Sequence, residues 1–195
     1  MRPPVSAIVL AAGSSRRMGS SKQLLPLGPQ PVIRHCLDSV ITAGLQDIVV
    51  VLGVAHDDIE AAIGGLPVRT TVNNDLQSDM AGSVRTGLKA IDRAATAVLV
   101  CLSDHPIVSA GTIASLVRTH SEHSDSIVIP VYNGRRGHPT LFPRTAIEDL
   151  FRGTTLRDVI TDRAGQVSLL DVDDEGVVLD MDTPEDYERI KGLFS

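Results

Sequence analysis

Short runs rich in Val, Ile and Leu alternate along the chain with segments whose apolar residues recur at helical spacing. The strand-like runs are VSAIVLAA (5–12), DIVVVLG (47–53), VRTTVN (68–73), AVLVCLS (97–103), SIVIPVY (126–132), HPTLF (138–142), VSLLDV (167–172) and VVLDMD (177–182). Helix-like segments lie between and after them, at 31–44, 57–64, 81–92, 110–123, 144–151, 155–160 and 184–194. Strands that are apolar almost throughout must be covered on both faces, so this alternation predicts an α/β fold around a mostly parallel sheet. In SIVIPVYNGRRGHPTLF, Asn133-Gly134 separates two strand-like runs, a hairpin signal. Antiparallel strands are therefore expected in the second half. With no internal repeat, low-complexity tract or dividing linker, residues 1–195 read as one domain.

Ligands of open parallel sheets collect beyond the carboxyl ends of the strands. That rule singles out residues 13–22, Gly53, residues 73–80, Ser103-Asp104-His105-Pro106 and Asp180-Met181-Asp182. The small residues Ala11, Ala12 and Gly13 allow a ligand to approach the backbone, where successive N–H groups can form an anion nest. Arg16, Arg17 and Lys22 follow with positive charge, a combination suited to a polyphosphate. The spacing is neither that of a P-loop nor that of a dinucleotide G-x-G-x-x-G turn. On spacing alone, a polar surface turn with solvated arginines explains the stretch equally well.

Two carboxylates also stand at predicted strand ends. Asp104 closes LVCLSDHP, where it would be a hard oxygen ligand for Mg²⁺, while Ser109 is better placed to cap the next helix. Asp182 precedes Thr183-Pro184, a helix start with Pro at its first position, so Asp182 or Thr183 could equally be an N-cap. Asp180, two residues earlier in a predicted strand, would face the same side as Asp182. Gly82 and Ser83 open a helix that Ser78 or Asp79 could cap. Gly134-Arg135-Arg136-Gly137-His138-Pro139 could be an ordinary hairpin turn.

Composition narrows the partners. Aromatics are only 3% with no Trp, and the net charge is −6, so base stacking and a broad basic face for nucleic acid are both lacking. An anionic ligand must be held by a local cluster. Cys36 and Cys101 sit in apolar surroundings and read as small buried hydrophobes of a reducing compartment. The apolar stretch after Met1-Arg2-Pro3-Pro4 is too short to span a bilayer, and no cleavage site follows it. The expectation is a cytoplasmic chain with no membrane partner.

LAAGSSRRMGSSK (10–22), with the LLPLG that follows, resembles the L-A-[AG]-G-x-S-x-R-M-G-x-x-K signature of the molybdenum cofactor cytidylyl- and guanylyltransferases. LVCLSDHP is similar to that family's L-x-D-x-P segment, with His105 departing from the expected Gln or Met. DMDTPED resembles the ending of its cytidylyl branch, and GRRGHP its G-x-x-G-H-P segment. SDMAGSVRTGL and GTTLRD are similar to further family segments, so the resemblance runs from Leu10 to Asp186. It implies a Rossmann-like three-layer α/β/α nucleotidyltransferase fold. Gly13, Arg17 and Lys22 would bind a triphosphate alongside the Ala11 and Ala12 backbone, with Arg16 at a variable position. Asp104 and Asp182 would hold Mg²⁺. Gly82 and Ser83 would lie near base and ribose, and His138, with Arg135 or Arg136, near the acceptor.

The implied reaction is attack by an acceptor phosphate on the α-phosphorus of a nucleoside triphosphate, with Arg17, Lys22 and Asp104 as the catalytic residues. Ala12 and the DMDTPED ending favour the cytidylyl branch and so CTP, while the resemblance as a whole implies a molybdopterin-type acceptor and a molybdenum hydroxylase as client. The alternatives are guanylyl transfer to this or another phosphorylated acceptor, a cofactor-binding chaperone without turnover, and a redox enzyme reusing the loop for NAD(P).

Overall fold

The structure, a computed structural model, describes residues 4–13, 21–54, 56–75 and 77–194. Strands are β1 (Val5–Ala11), β2 (Pro26–Leu27), β3 (Gln30–Pro31), β4 (Asp47–Leu52), β5 (Arg69–Val72), β6 (Ala97–Leu102), β7 (Ile127–Tyr132), β8 (Arg135–Arg136), β9 (Thr140–Pro143) and β10 (Val167–Asp171). Helices are α1 (Val32–Thr42), α2 (Asp57–Ile63), α3 (Met80–Ala90), α4 (Ala110–Glu122), α5 (Arg144–Ile147), α6 (Leu156–Asp162) and α7 (Pro184–Lys191). The main sheet has the order β10-β7-β9-β6-β1-β4-β5, with β8 on β7; β2 and β3 form a small ribbon of their own.

The β6-β1-β4-β5 half is parallel throughout. β9 runs antiparallel to both β6 and β7, while β10 is parallel to β7. The mostly parallel sheet with an antiparallel element in its second half is thus as the hydrophobic pattern predicts. The Asn-Gly signal lies in the β7–β8 hairpin, where Asn133 and Gly134 both have positive φ, at 48° and 77°. Such a two-residue turn matches the right-handed twist of its strands.

Side-chain alternation along each strand divides the core into two layers. Ala7, Val9 and Ala11 of β1 point to one face with Ile33 and Leu37 of α1, Ile59 of α2 and Leu116 of α4. Ile8 points to the other face, with Val84 and Leu88 of α3, Ile147 of α5 and Val159 of α6. That arrangement is the three-layer α/β/α sandwich. Cys36 and Cys101 are free and buried on the α1 side of the sheet. Among the described residues no helix is long and apolar enough to cross a membrane.

One predicted strand is absent. Residues 177–182 form no ladder: a 3-10 turn spans Glu175–Val178, and the chain then crosses the carboxyl ends of the central strands as a strap. Its backbone groups bond singly to the loops beneath, with His138 N donating to Val177 O at 2.8 Å and Met181 N to Asp104 O at 3.0 Å. The apolar residues that suggested a strand are consumed by this crossing. Val177 packs into the core, and Met181 joins Leu27, Val32 and Ile190 in a separate cluster under α7.

Candidate active site

The chain leaves β1 for β4 and β5 on one side and returns to β6 on the other, so the connections diverge between β1 and β6. At such a switch point the loops part and leave a crevice. Here an open cleft of about 230 Å³ is lined by Ala12, Gly13, Lys22, Ser83, Ser103 and Asp104, among others. The wall after β1 consists of small residues. Gly53, at the end of β4, comes so close to Ala12 that a Cβ there would stand 3.2 Å from the Ala12 carbonyl oxygen. Ala11 is the last residue of β1 and turns its side chain into the core.

Lys22 begins a 3-10 turn, Lys22–Leu24. Its Nζ donates to Asp104 Oδ2 at 2.6 Å and to Asp182 Oδ1 at 2.9 Å, joining the first loop, the loop after β6 and the end of the strap. Burial alone would lower the pKa of this ammonium; hydrogen bonding and charge from Asp104, then from Asp182, outweigh it and raise the value above the ordinary lysine range. The second oxygen of Asp104, Oδ1, is buried with no hydrogen-bond partner among the described residues. A buried carboxylate oxygen without a donor is costly unless something else meets it, and hard oxygen donors of this kind suit Mg²⁺ or Mn²⁺.

Neither carboxylate is spent on helix capping. Ser109 caps α4, accepting from Thr112 N, and Thr183 caps α7 in a reciprocal box with Asp186. Asp182 is thereby left directed at Lys22, whereas Asp180 is solvent-exposed, because the strap lacks the strand periodicity that would have aligned the two. The strap itself is tied down by Asp174, which accepts from Ser109 N, Thr112 Oγ1 and Gly176 N. Gly176 and Gly137 lie against backbone: a Cβ would stand 2.6 Å from Ile107 O in the first case and 2.3 Å from Val177 O in the second.

On the α3 wall, Asp79 caps the helix, accepting from Gly82 N at 2.7 Å. A Cβ on Gly82 would fall 1.9 Å from Ser78 Oγ, so Gly82 lets Ser78 pack down at the rim. Asn73 Nδ2 donates to Ser83 Oγ at 3.1 Å and fixes the Ser83 hydroxyl. Asn73 opens the strand-end stretch 73–80 but was given no role, and sequence reasoning passed over Gln23, which is 1% exposed and donates to Ser103 Oγ at 3.4 Å. Neither belongs to a legible motif; each matters through a partner distant in sequence.

His138 does not line this cleft. Behind Asp104, a small cavity of about 20 Å³ is lined by Cys36, Cys101, His105 and His138, with apolar neighbours. The two imidazoles lie 5.5 Å apart, and His105 Nδ1 is 3.2 Å from Gly176 O, to which it can donate. Burial, then the neighbouring His105, pushes the His138 pKa down to about 4 against the opposing pull of Asp104. Burial likewise raises both thiols, Cys101 to about 12. Arg135 and Arg136 are exposed on β8. Arg16 and Arg17 lie outside the described residues.

A three-layer sandwich with a lysine and two carboxylates at its switch point defines the class: the chain is a member of the nucleotidyltransferase superfamily. More narrowly, it belongs to the MobA-like NTP transferase domain family, whose pattern matches residues 7–167. Nicotine blue oxidoreductase of Paenarthrobacter nicotinovorans is 29% identical over 96% of this chain and 97% of its own length. The crystal structure of Rv0371c from Mycobacterium tuberculosis H37Rv is 31% identical, with a TM-score of 0.86 over 98% of this chain and 99% of that one. A structure of Rv0371c in complex with manganese is 28% identical, with a TM-score of 0.81 over 98% of this chain and 100% of that one.

Proposed function

We propose that the protein is a divalent-metal-dependent nucleotidyltransferase that transfers CMP from CTP to the phosphate of a molybdopterin-type acceptor and releases pyrophosphate. The observation carrying this reading is the convergence of Lys22, Asp104 and Asp182 at the mouth of the cleft, in a chain of the NTP transferase family. Gly13, Lys22 and, by position in the motif, Arg17 bind the triphosphate. Asp104 and Asp182 hold the metal: among the described residues the buried Oδ1 of Asp104 has no hydrogen-bond donor, with His105 Nε2 3.9 Å away, and the manganese complex of Rv0371c supports divalent-metal use in such a fold. When bound, the ion acts as a Lewis acid on the phosphate oxygens. Lys22 offsets charge on the departing pyrophosphate and orients the triphosphate along the small-residue wall. The acceptor phosphate is already ionised and needs no general base.

Ala12 and the DMDTPED ending favour cytidylyl over guanylyl transfer. His138 is buried behind Asp104, which leaves the exposed Arg135 and Arg136 as the nearer candidates for an acceptor phosphate. The expected setting is cytoplasmic, with a molybdenum hydroxylase as client. Calorimetry with CTP, GTP, ATP and UTP, each with and without Mg²⁺, tests the reading. Selective, metal-dependent CTP binding is expected; a GTP preference moves the reading to guanylyl transfer, and binding of none favours a cofactor chaperone.

A second reading, a redox enzyme, draws on the name of nicotine blue oxidoreductase. The absence of a dinucleotide fingerprint in 10–22 counts against it. Loss of NAD(P)H absorbance in the presence of nicotine blue would establish it.

A further inference from the structure

Lys22 stands between the two carboxylates that the proposed function assigns to the metal, and the inference rests on that assignment. We propose that Lys22 is their resident counter-ion and competes with the divalent cation, so that the site takes metal only after an anion has drawn the lysine away. Nζ engages Asp104 Oδ2 at 2.6 Å and Asp182 Oδ1 at 2.9 Å. A cation shared by both carboxylates must use those same oxygens or sit within a few ångströms of an ammonium, where like charges repel in a partly desolvated site. The lysine side chain is only 12% exposed and that of Asp104 19%, so water screens this contact weakly, whereas Asp182 is 47% exposed and its contact is screened more.

The lysine also has a function in the empty site. It links two carboxylates brought together from distant segments, and through Asp182 it joins the strap to the turn that begins at Lys22. A triphosphate arriving along the small-residue wall supplies the ammonium with a new anionic partner and leaves both carboxylates to the metal. Nucleotide and metal binding are then positively coupled, and by linkage each raises the affinity of the other by the same factor.

Mn²⁺ alone is the probe, with free ion counted by electron paramagnetic resonance and no nucleotide present. Wild type should bind Mn²⁺ weakly, and Lys22→Met should bind it at least about tenfold more tightly, since a positive charge has left the site. Mn²⁺ should also raise the melting temperature of Lys22→Met more than that of wild type. Lys22→Gln serves as a second variant should the methionine chain fold poorly. Equal Mn²⁺ affinity in wild type and both variants, with Asp104→Asn weakening wild type, overturns the competition and leaves the carboxylate site standing. If Asp104→Asn added to Lys22→Met changes nothing, the metal lies elsewhere, and both the site assignment and the competition fall.

Discussion

Acid should loosen this fold through His138 before it titrates the structural carboxylates. The imidazole is buried beside His105, and its pKa falls from the ordinary 6.5 to about 4. In the unfolded chain it takes up a proton near pH 6.5; in the folded chain it does not until about pH 4. The unfolded state therefore binds more protons across that window, and stability is full above about pH 6.5 and lost as the pH falls to about 4. At about 1.4 kcal/mol per pH unit, the loss amounts to about 3 kcal/mol. His120, fully buried, is shifted down by burial against the opposing pull of the Ser126 backbone and Asp125, and adds to the loss. Asp47, Asp158 and Asp186 are held below 3.8, so their contributions are lost only at more acid pH. Lys22 is raised above 10.5, and its contribution is lost only as the pH rises past that value. Urea unfolding at half-unit steps from pH 4 to 7 measures the slope in wild type and in His138→Gln, whose side chain does not titrate. The variant should keep only the shallower slope left by His120. An unchanged slope would refute the account of a buried, neutral His138.

Other substitutions test the frame around the site. Gly137→Ala should destabilise by about 1–3 kcal/mol in urea unfolding, because its Cβ meets the Val177 carbonyl, which is backbone and cannot swing aside. Thr183→Ala removes the capping box of α7 and should cost about 1 kcal/mol; if the cap also aims Asp182, metal affinity falls with it, measurable by Mn²⁺ titration. Asp104→Ala should abolish metal-dependent turnover while leaving the circular dichroism spectrum native, and normal turnover would remove Asp104 from the metal site.

The sequence by itself determined the layers of this protein. Nearly continuous apolar strands at 5–12, 47–53 and 97–103 can be satisfied only by a sheet covered on both faces, and the caps at Ser109 and Thr183-Pro184 are chemical signals read within a few residues. Gly13, Lys22 and Asp104 were legible because they follow strand ends, where an open sheet collects its ligands. The course of residues 177–182 was decided only by tertiary structure. Their apolar pattern fits a strand as well as it fits a strap that buries Val177 and Met181 in two different clusters, and local pattern cannot distinguish burial in a sheet from burial beneath a crossing. The placing of Asp180 in solvent while Asp182 meets Lys22, the withdrawal of His138 behind Asp104 and the hold of Asp174 on the strap all follow from that crossing. Each depends on contacts between residues far apart in the chain, and hydrophobic periodicity reports only on neighbours.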